Sequence, residues 1–230
     1  MNDLLLSLRR RFEAYAEREL SLWKDKEFLA NAVMSIALLY LSGVVTYMAG
    51  LSATASAGAP AHDLILDALP RVDTSFIHGW FTGRIRDLML VLLFLYPRYL
   101  PFGMKSAVLL TLVRSLFINL THIGPYPDSI PVHSLSTFGG DLFFSGHVAF
   151  PLLMALVMWD KPFIRSFFIG IAVFLGASAL LGHYHYSIDV AAAPFITYGI
   201  FVIAEKLFPR DRRLAGRGGE AGQGRRGDIR

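Results

Sequence analysis

The sequence predicts an all-α protein: a six-transmembrane helix bundle with an N-terminal amphipathic interfacial helix and a disordered basic C-terminal tail. Two observations lead to that class. Apolar residues make up 54% of the 230 residues and charged residues only 17%, where a soluble domain carries about a quarter charged. Apolar runs close to the length of a bilayer crossing, roughly 20 residues, also recur along the chain between Pro-, Gly- or charge-rich connections. Three regions follow: 1–27 the interfacial helix, 28–208 the six-span membrane domain, and 209–230 the tail.

In the first region Leu4, Leu5, Leu8, Phe12, Tyr15, Ala16, Leu20 and Trp23 recur at helical spacing. Arg9, Arg10 and Arg11 interrupt the run too early for a signal-peptide core. A helix lying on the membrane surface is expected, with a helix packed on the bundle as the alternative. The first span is expected at 28–51, followed by a small, polar stretch at 52–61. The second, around Leu88 to Leu95, is expected at 84–99, where Pro97 and Pro101 break it. The third is expected at 105–121 and is followed by a Pro-rich connection at 124–140. The fourth, fifth and sixth are expected at 142–159, 163–181 and 188–207. Beyond Phe208 the chain turns Gly- and Arg-rich, a composition that predicts disorder.

Charge and cysteine usage exclude several functions. The net charge is +4, and the tail alone accounts for it with seven arginines against three acids. The basic balance therefore points to an anionic membrane face, not to nucleic acid. With no cysteine, disulfide scaffolds, thiolate metal sites and Cys nucleophiles are excluded. Arg98, Lys105, Lys161, Arg165, Lys206, Arg210, Arg212 and Arg213 flank the ends that six spans place beside Arg9, Arg10 and Arg11, so that side and both termini are expected to be cytoplasmic. The opposite side receives Asp63, Asp67, Asp73, Asp128, Asp141 and Asp189 with His122, His133, His147, His183 and His185; Arg71, Arg84 and Arg86 are exceptions.

One constellation carries chemistry. Ser145-Gly146-His147 opens the fourth span and His185-Tyr186-Ser187-Ile188-Asp189 opens the sixth. One helical hairpin separates them, so both histidines return to the same leaflet. On a helix, His185 and Asp189 share a face, and a carboxylate on one imidazole nitrogen frees the other as nucleophile or base. Ser145 can cap the following helix, and Gly146 lets an anion approach its N–H groups. Two histidines, an Asp and an anion cradle are the parts of phosphoryl transfer through a covalent intermediate. Arg114, mid-span and costly there, neutralises a phosphodiester, holds Asp141, or only snorkels or pairs structurally. Asp141 is a site residue or a helix cap. His183 points away from His185 in a helix and serves a supporting or structural role. His122 and His133 read as loop residues, and Asp73 as an entrance or solvated residue.

At these positions the sequence resembles the sphingomyelin synthase family, a membrane branch of the type 2 phosphatidic acid phosphatase superfamily, over 69–207. Gly140-Asp141-Leu142-Phe143-Phe144-Ser145-Gly146-His147 is similar to its third motif and His185-Tyr186-Ser187-Ile188-Asp189-Val190 to its fourth. Arg114-Ser115 with Thr121 and Pro125 looks like the second, and Leu69-Pro70-Arg71-Val72-Asp73 like the first. Gly139 stands where that family often has Cys, and Arg71 where an acid is usual. The superfamily's Lys…Arg-Pro motif is not evident, which disfavours a plain phosphomonoesterase. The resemblance implies catalysis by His147, His185 and Asp189, with Asp141 as an acidic helper and an active site on the external or lumenal face.

The sequence reading is thus a phosphotransferase that moves a phosphocholine or phosphoethanolamine headgroup from a phospholipid donor to the hydroxyl of ceramide or a diacylglycerol-type lipid, through a phosphohistidine. Arg114, Asp141, Ser145 and Gly146 would bind substrate, and no metal and no cofactor is required. Hydrolysis with water as acceptor, as in a lipid phosphatase or phospholipase C, is the alternative. A metal-dependent hydrolase using His147, His183, His185 and Asp189, and a transporter or assembly protein, are further ones. A homo-oligomer is compatible with the sequence, and the composition suits a bacterial inner membrane.

Overall fold

The computed structural model describes residues 13, 15, 17, 19–127, 129 and 139–220. Every regular element among them is helical, and a helix stands at each of the six expected positions. Helix α1, Lys26–Ala55, starts where the Asp25 carboxylate accepts the N–H groups of Glu27 and Phe28 at 2.8 and 3.4 Å. Helix α2, Thr82–Leu95, is entered through a π-helical turn at Ile77–Phe81. It ends at Tyr96, which Pro97 forces out of the helical region. A 3-10 turn, Pro97–Tyr99, leads into α3, Leu100–Ile118, whose Pro101 sits in the first turn where no N–H is needed.

Helices α4, Gly146–Val157, and α5, Pro162–Leu181, form a hairpin. Then α6, Ser187–Leu207, and α7, Pro209–Glu220, complete the chain. Four segments are long and apolar enough to cross a membrane: 26–55, 97–118, 162–181 and 187–207. The chain is accordingly a multi-pass membrane protein. At about 1.5 Å per residue, the 14 residues of α2 and 12 of α4 rise only about 21 and 18 Å, less than the ~30 Å hydrocarbon core. Large apolar side chains on the outer faces, such as Tyr40, Val173 and Phe195, are exposed as lipid contact requires.

Helix α3 is the axis of the bundle. Phe102 and Leu110 are fully buried on it, and α1, α4 and α6 pack around it. Thr46 of α1 and Ser115 of α3 share a hydrogen bond of 2.7 Å. Such a bond holds two helices together where lipid offers no hydrophobic drive between them. One end of this axis carries basic residues. Lys105 donates to Asn31 and to Asp211, both at 2.7 Å, and Asn31 donates to the other Asp211 oxygen at 2.7 Å.

That triad corrects one expectation. Residues 209–220 belong to the tail expected to be disordered, yet they form α7. The cause is Asp211, buried at 6% exposure against Lys105, together with Arg212, which pairs with Glu205 at 2.6 Å and lies over Phe102 and Phe201. Composition registered the arginines and missed the one acid that anchors the helix. Residues 221–230 lie outside the described ones, as do residues 1–12 of the expected interfacial helix. The described residues from 13 to 22 are helical. They pack on the basic end through Glu19–Arg98 at 3.2 Å, Arg98 over Tyr15 and Trp23 stacked on Phe94.

Candidate active site

The other end of the bundle gathers the histidines. A Gly-Gly turn after the undescribed connection crosses the end of α1. A Cβ on Gly140 would collide with the Ala53 carbonyl, so only glycine allows this approach. Its N–H bonds to Thr54 at 3.2 Å. This contact delivers Asp141 to Arg114, with Arg114 Nη1 2.6 Å from Asp141 Oδ1. The same guanidinium donates from Nε to the Phe144 carbonyl at 2.7 Å and from Nη2 to the Asp141 carbonyl at 3.3 Å. Of the roles open to Arg114, one is seen: it holds Asp141 and fixes the 141–144 turn ahead of α4.

Helix α4 then begins at Gly146. Its first N–H groups have no carbonyl one turn earlier to bind. Ser145 was expected to cap them, but its hydroxyl makes no cap hydrogen bond; it is buried and without a partner, while its N–H donates to the Asp189 carbonyl at 3.0 Å. A Cβ at Gly146 would lie 3.5 Å from Arg114 Nε, which places this N-terminus directly beside the cation.

The α4–α5 hairpin brings His147 back to His185, with ring centroids 5.6 Å apart. His185 Nδ1 is 3.4 Å from Asp189 Oδ2. The pair forms for a different reason from the one expected. His185 precedes α6 and shares no helical face with Asp189. Asp189 instead stands in the first turn, and its Oδ2 reaches back to the Tyr186 N–H at 3.0 Å, passing His185 on the way. A further carboxylate, Asp63, supports this turn by accepting the Ser187 N–H at 2.6 Å and the Ile65 and Leu66 N–H groups. Burial alone would raise the Asp63 carboxyl, but these N–H donors outweigh it and hold its pKa below the ordinary value. The Tyr186 hydroxyl joins the same loops, donating to the Gly124 carbonyl at 2.8 Å and accepting the Ala61 N–H at 3.0 Å.

A third imidazole, absent from the sequence reading, completes the cluster. His78 stacks on His147 with centroids 3.7 Å apart and planes at 27°, and on Tyr184 at 4.0 Å. Nitrogen atoms of His78, His147 and His185 all lie within 4.8 Å of one another. The available signal was a lone His within Phe76-Ile77-His78-Gly79-Trp80-Phe81, just after the Leu69–Asp73 motif. The π-turn at Ile77–Phe81 carries His78 inward, as such turns often do at functional sites.

His183 does not join the cluster. It sits at φ 56°, in the left-handed region, with both ring nitrogens unpartnered and its ring against Tyr126. Gly182 before it is required, because a Cβ there would collide with Tyr184 and Thr74. The metal set of His147, His183, His185 and Asp189 is therefore not assembled. His78, His147 and His185 are closer together, but imidazole lone pairs lie in the ring plane. Two rings stacked at 3.7 Å direct theirs past each other, and convergence on one ion would require one ring to leave the stack. His122 and Asp73 are exposed, and His133 lies outside the described residues.

Residues 139–206 match a family model described as PAP2 superfamily C-terminal. The match spans Asp141, Ser145, Gly146, His147, His185 and Asp189, and supports the type 2 phosphatidic acid phosphatase superfamily that the motifs resemble. It suggests an enzyme acting on phosphate esters. No curated protein matches the chain.

Proposed function

We propose that this protein is a membrane phosphotransferase that carries a phospho-headgroup from a glycerophospholipid to a lipid hydroxyl such as that of ceramide. The observation that carries the reading is the convergence of His147 and His185 beside Asp189 and the open N-terminus of α4. The mechanism follows from that arrangement. With Nδ1 turned to Asp189, the His185 Nε2 lone pair attacks phosphorus, and the bond from phosphorus to the diacylglycerol oxygen breaks. Protonated His147 gives its proton to that oxygen. The headgroup stays on His185 as a phosphoramidate, and Asp189 offsets the positive charge on the ring. The acceptor hydroxyl then loses its proton to His147, its oxygen attacks phosphorus, and the P–N bond breaks to release His185. N–H groups at the start of α4, with Arg114 behind them, stabilise the phosphoryl oxygens.

Burial favours a lipid acceptor over water. His185 is 4% and Asp189 2% exposed, and a phosphoramidate in so dry a site is shielded from hydrolysis. The reading includes six spans with the histidine end facing the exterior or lumen, supported by the basic residues Arg98, Lys105, Lys161 and Arg212 at the other end. A bacterial inner membrane is supported by composition alone. The test is purified protein in vesicles of phosphatidylcholine or phosphatidylethanolamine with a fluorescent ceramide. Headgroup-bearing ceramide and diacylglycerol are expected in equal amounts. Free phosphocholine or phosphoethanolamine, unaffected by added ceramide, would show that water is the acceptor.

A further inference from the structure

We infer that His78 is a positioning residue for this reaction, acting through His147 by ring stacking and not by proton transfer or metal binding; this rests on the reading above. Its ring is the middle plate of three. His147 lies on one face at 3.7 Å, and Tyr184 on the other at 4.0 Å, each with planes 27° apart. His185 stands tilted at the edge, with centroids 6.1 Å away. The outer plates come from opposite sides of the hairpin: His147 opens α4, and Tyr184 follows α5. His78 reaches between them from the turn ahead of α2. Two other contacts hold the segment ahead of that turn independently of the ring: Val72 N–H donates to the Leu181 carbonyl at 2.8 Å, and the Thr74 hydroxyl to the Ser178 carbonyl at 2.8 Å.

The consequence for His147 is physical. Its Nδ1 has no hydrogen-bond partner, so no carboxylate sets its ring plane as Asp189 does for His185. The His147 ring also hydrogen-bonds to the His78 backbone; the stack adds to that contact by restricting rotation about the bond to the ring. When His147 carries the proton, it is a cation over a neutral aromatic face, an attraction that strengthens on desolvation. Burial first, then the neighbouring His185, pushes the His78 ring down to about 3, so it presents that neutral face. Its own Nδ1 is also without a hydrogen-bond partner.

The experiment compares His78→Phe, His78→Gln and His78→Ala in the full-length protein in the vesicle assay, with His185→Ala as control. Phe keeps the face and cannot hold a proton; Gln keeps polarity and some bulk and lacks the face. The expected result is a kcat about thirtyfold lower for Gln and Ala, of the size a desolvated cation–π contact supplies, an unchanged donor KM, and Phe within about threefold of wild type. If Ala unfolds in thermal melts, the Phe–Gln pair alone decides. Phe as impaired as Gln overturns the inference in favour of proton transfer or ligation, and so does wild-type kcat in Gln. Retained transfer in His185→Ala overturns the phosphohistidine reading, and this inference with it.

Discussion

The two ends of the bundle treat buried polar groups in opposite ways. At the basic end Lys105, Asn31 and Asp211 close a ring of three hydrogen bonds at 2.7 Å, and Tyr99 donates to Asp160. Among the described residues, apart from one oxygen of Glu19 and Arg98 Nε, whose ion pair with Glu19 is 3.2 Å, the buried side-chain groups there are hydrogen-bonded. At the histidine end the buried nitrogens His78 Nδ1, His147 Nδ1, His183 Nδ1 and Nε2, with the Ser145 hydroxyl, have no partner. A satisfied network rigidifies; an unsatisfied one costs free energy that a folded protein tolerates where a ligand supplies the missing bonds. The basic end is therefore a fastening and the histidine end the candidate site.

Substitutions at the histidine end should abolish chemistry and leave the fold intact. His185→Ala is expected to lose headgroup transfer by at least about 10⁴-fold, since covalent and general-base routes fail together, with unchanged thermal stability. Transfer within tenfold of wild type would erase the distinction between the ends. His147→Ala is expected to lose about 10²–10⁴-fold, the range of a single acid–base group. A leaving group of low pKa, such as a p-nitrophenyl phosphodiester, should recover much of that loss in the first half-reaction, because it departs unprotonated. Equal losses on both substrates would contradict the role.

The basic end should behave in reverse. Lys105→Met strands Asp211 at 6% exposure and should cost about 3–5 kcal/mol, read as a lowered melting temperature, while transfer per folded molecule is retained. Lys105→Met with Asp211→Leu should regain most of that stability. A double variant no more stable than the single one would show that the triad is no fastening.

The smallest effect concerns Asp63, which fastens the histidine end itself. Its folded-state pKa is depressed below 3.8. Its contribution is thus complete above the ordinary Asp range and lost as pH falls through the depressed value. In acid titrations at constant ionic strength, Asp63→Asn should begin to unfold at higher pH than wild type. Superimposed curves would remove the carboxylate from the account.

The same contrast explains what was legible in the sequence. The six helices were, because span-length apolar runs leave few alternatives. So was the meeting of His147 and His185, which needs only one hairpin between them. The His185–Asp189 pair was found through a spacing of four, although a first-turn carboxylate and not a helical face creates it. His78 was missed because stacking between distant segments leaves no periodic trace. The helix at 209–220 was missed because a single buried acid, Asp211, outweighs a Gly/Arg-rich composition. Local pattern reports which segments are apolar; it does not report which polar residue a distant helix will satisfy.

The central claim, that His185 becomes covalently phosphorylated, is tested most directly by rapid acid-free quenching of the protein turning over a phospholipid labelled in its headgroup phosphate. The account predicts label on the protein within the first turnover, stable to base, labile to acid, mapped to His185, discharged by ceramide and absent from His185→Ala. Labelled product forming at full rate with no label on the protein, or with label persisting in His185→Ala, would contradict it.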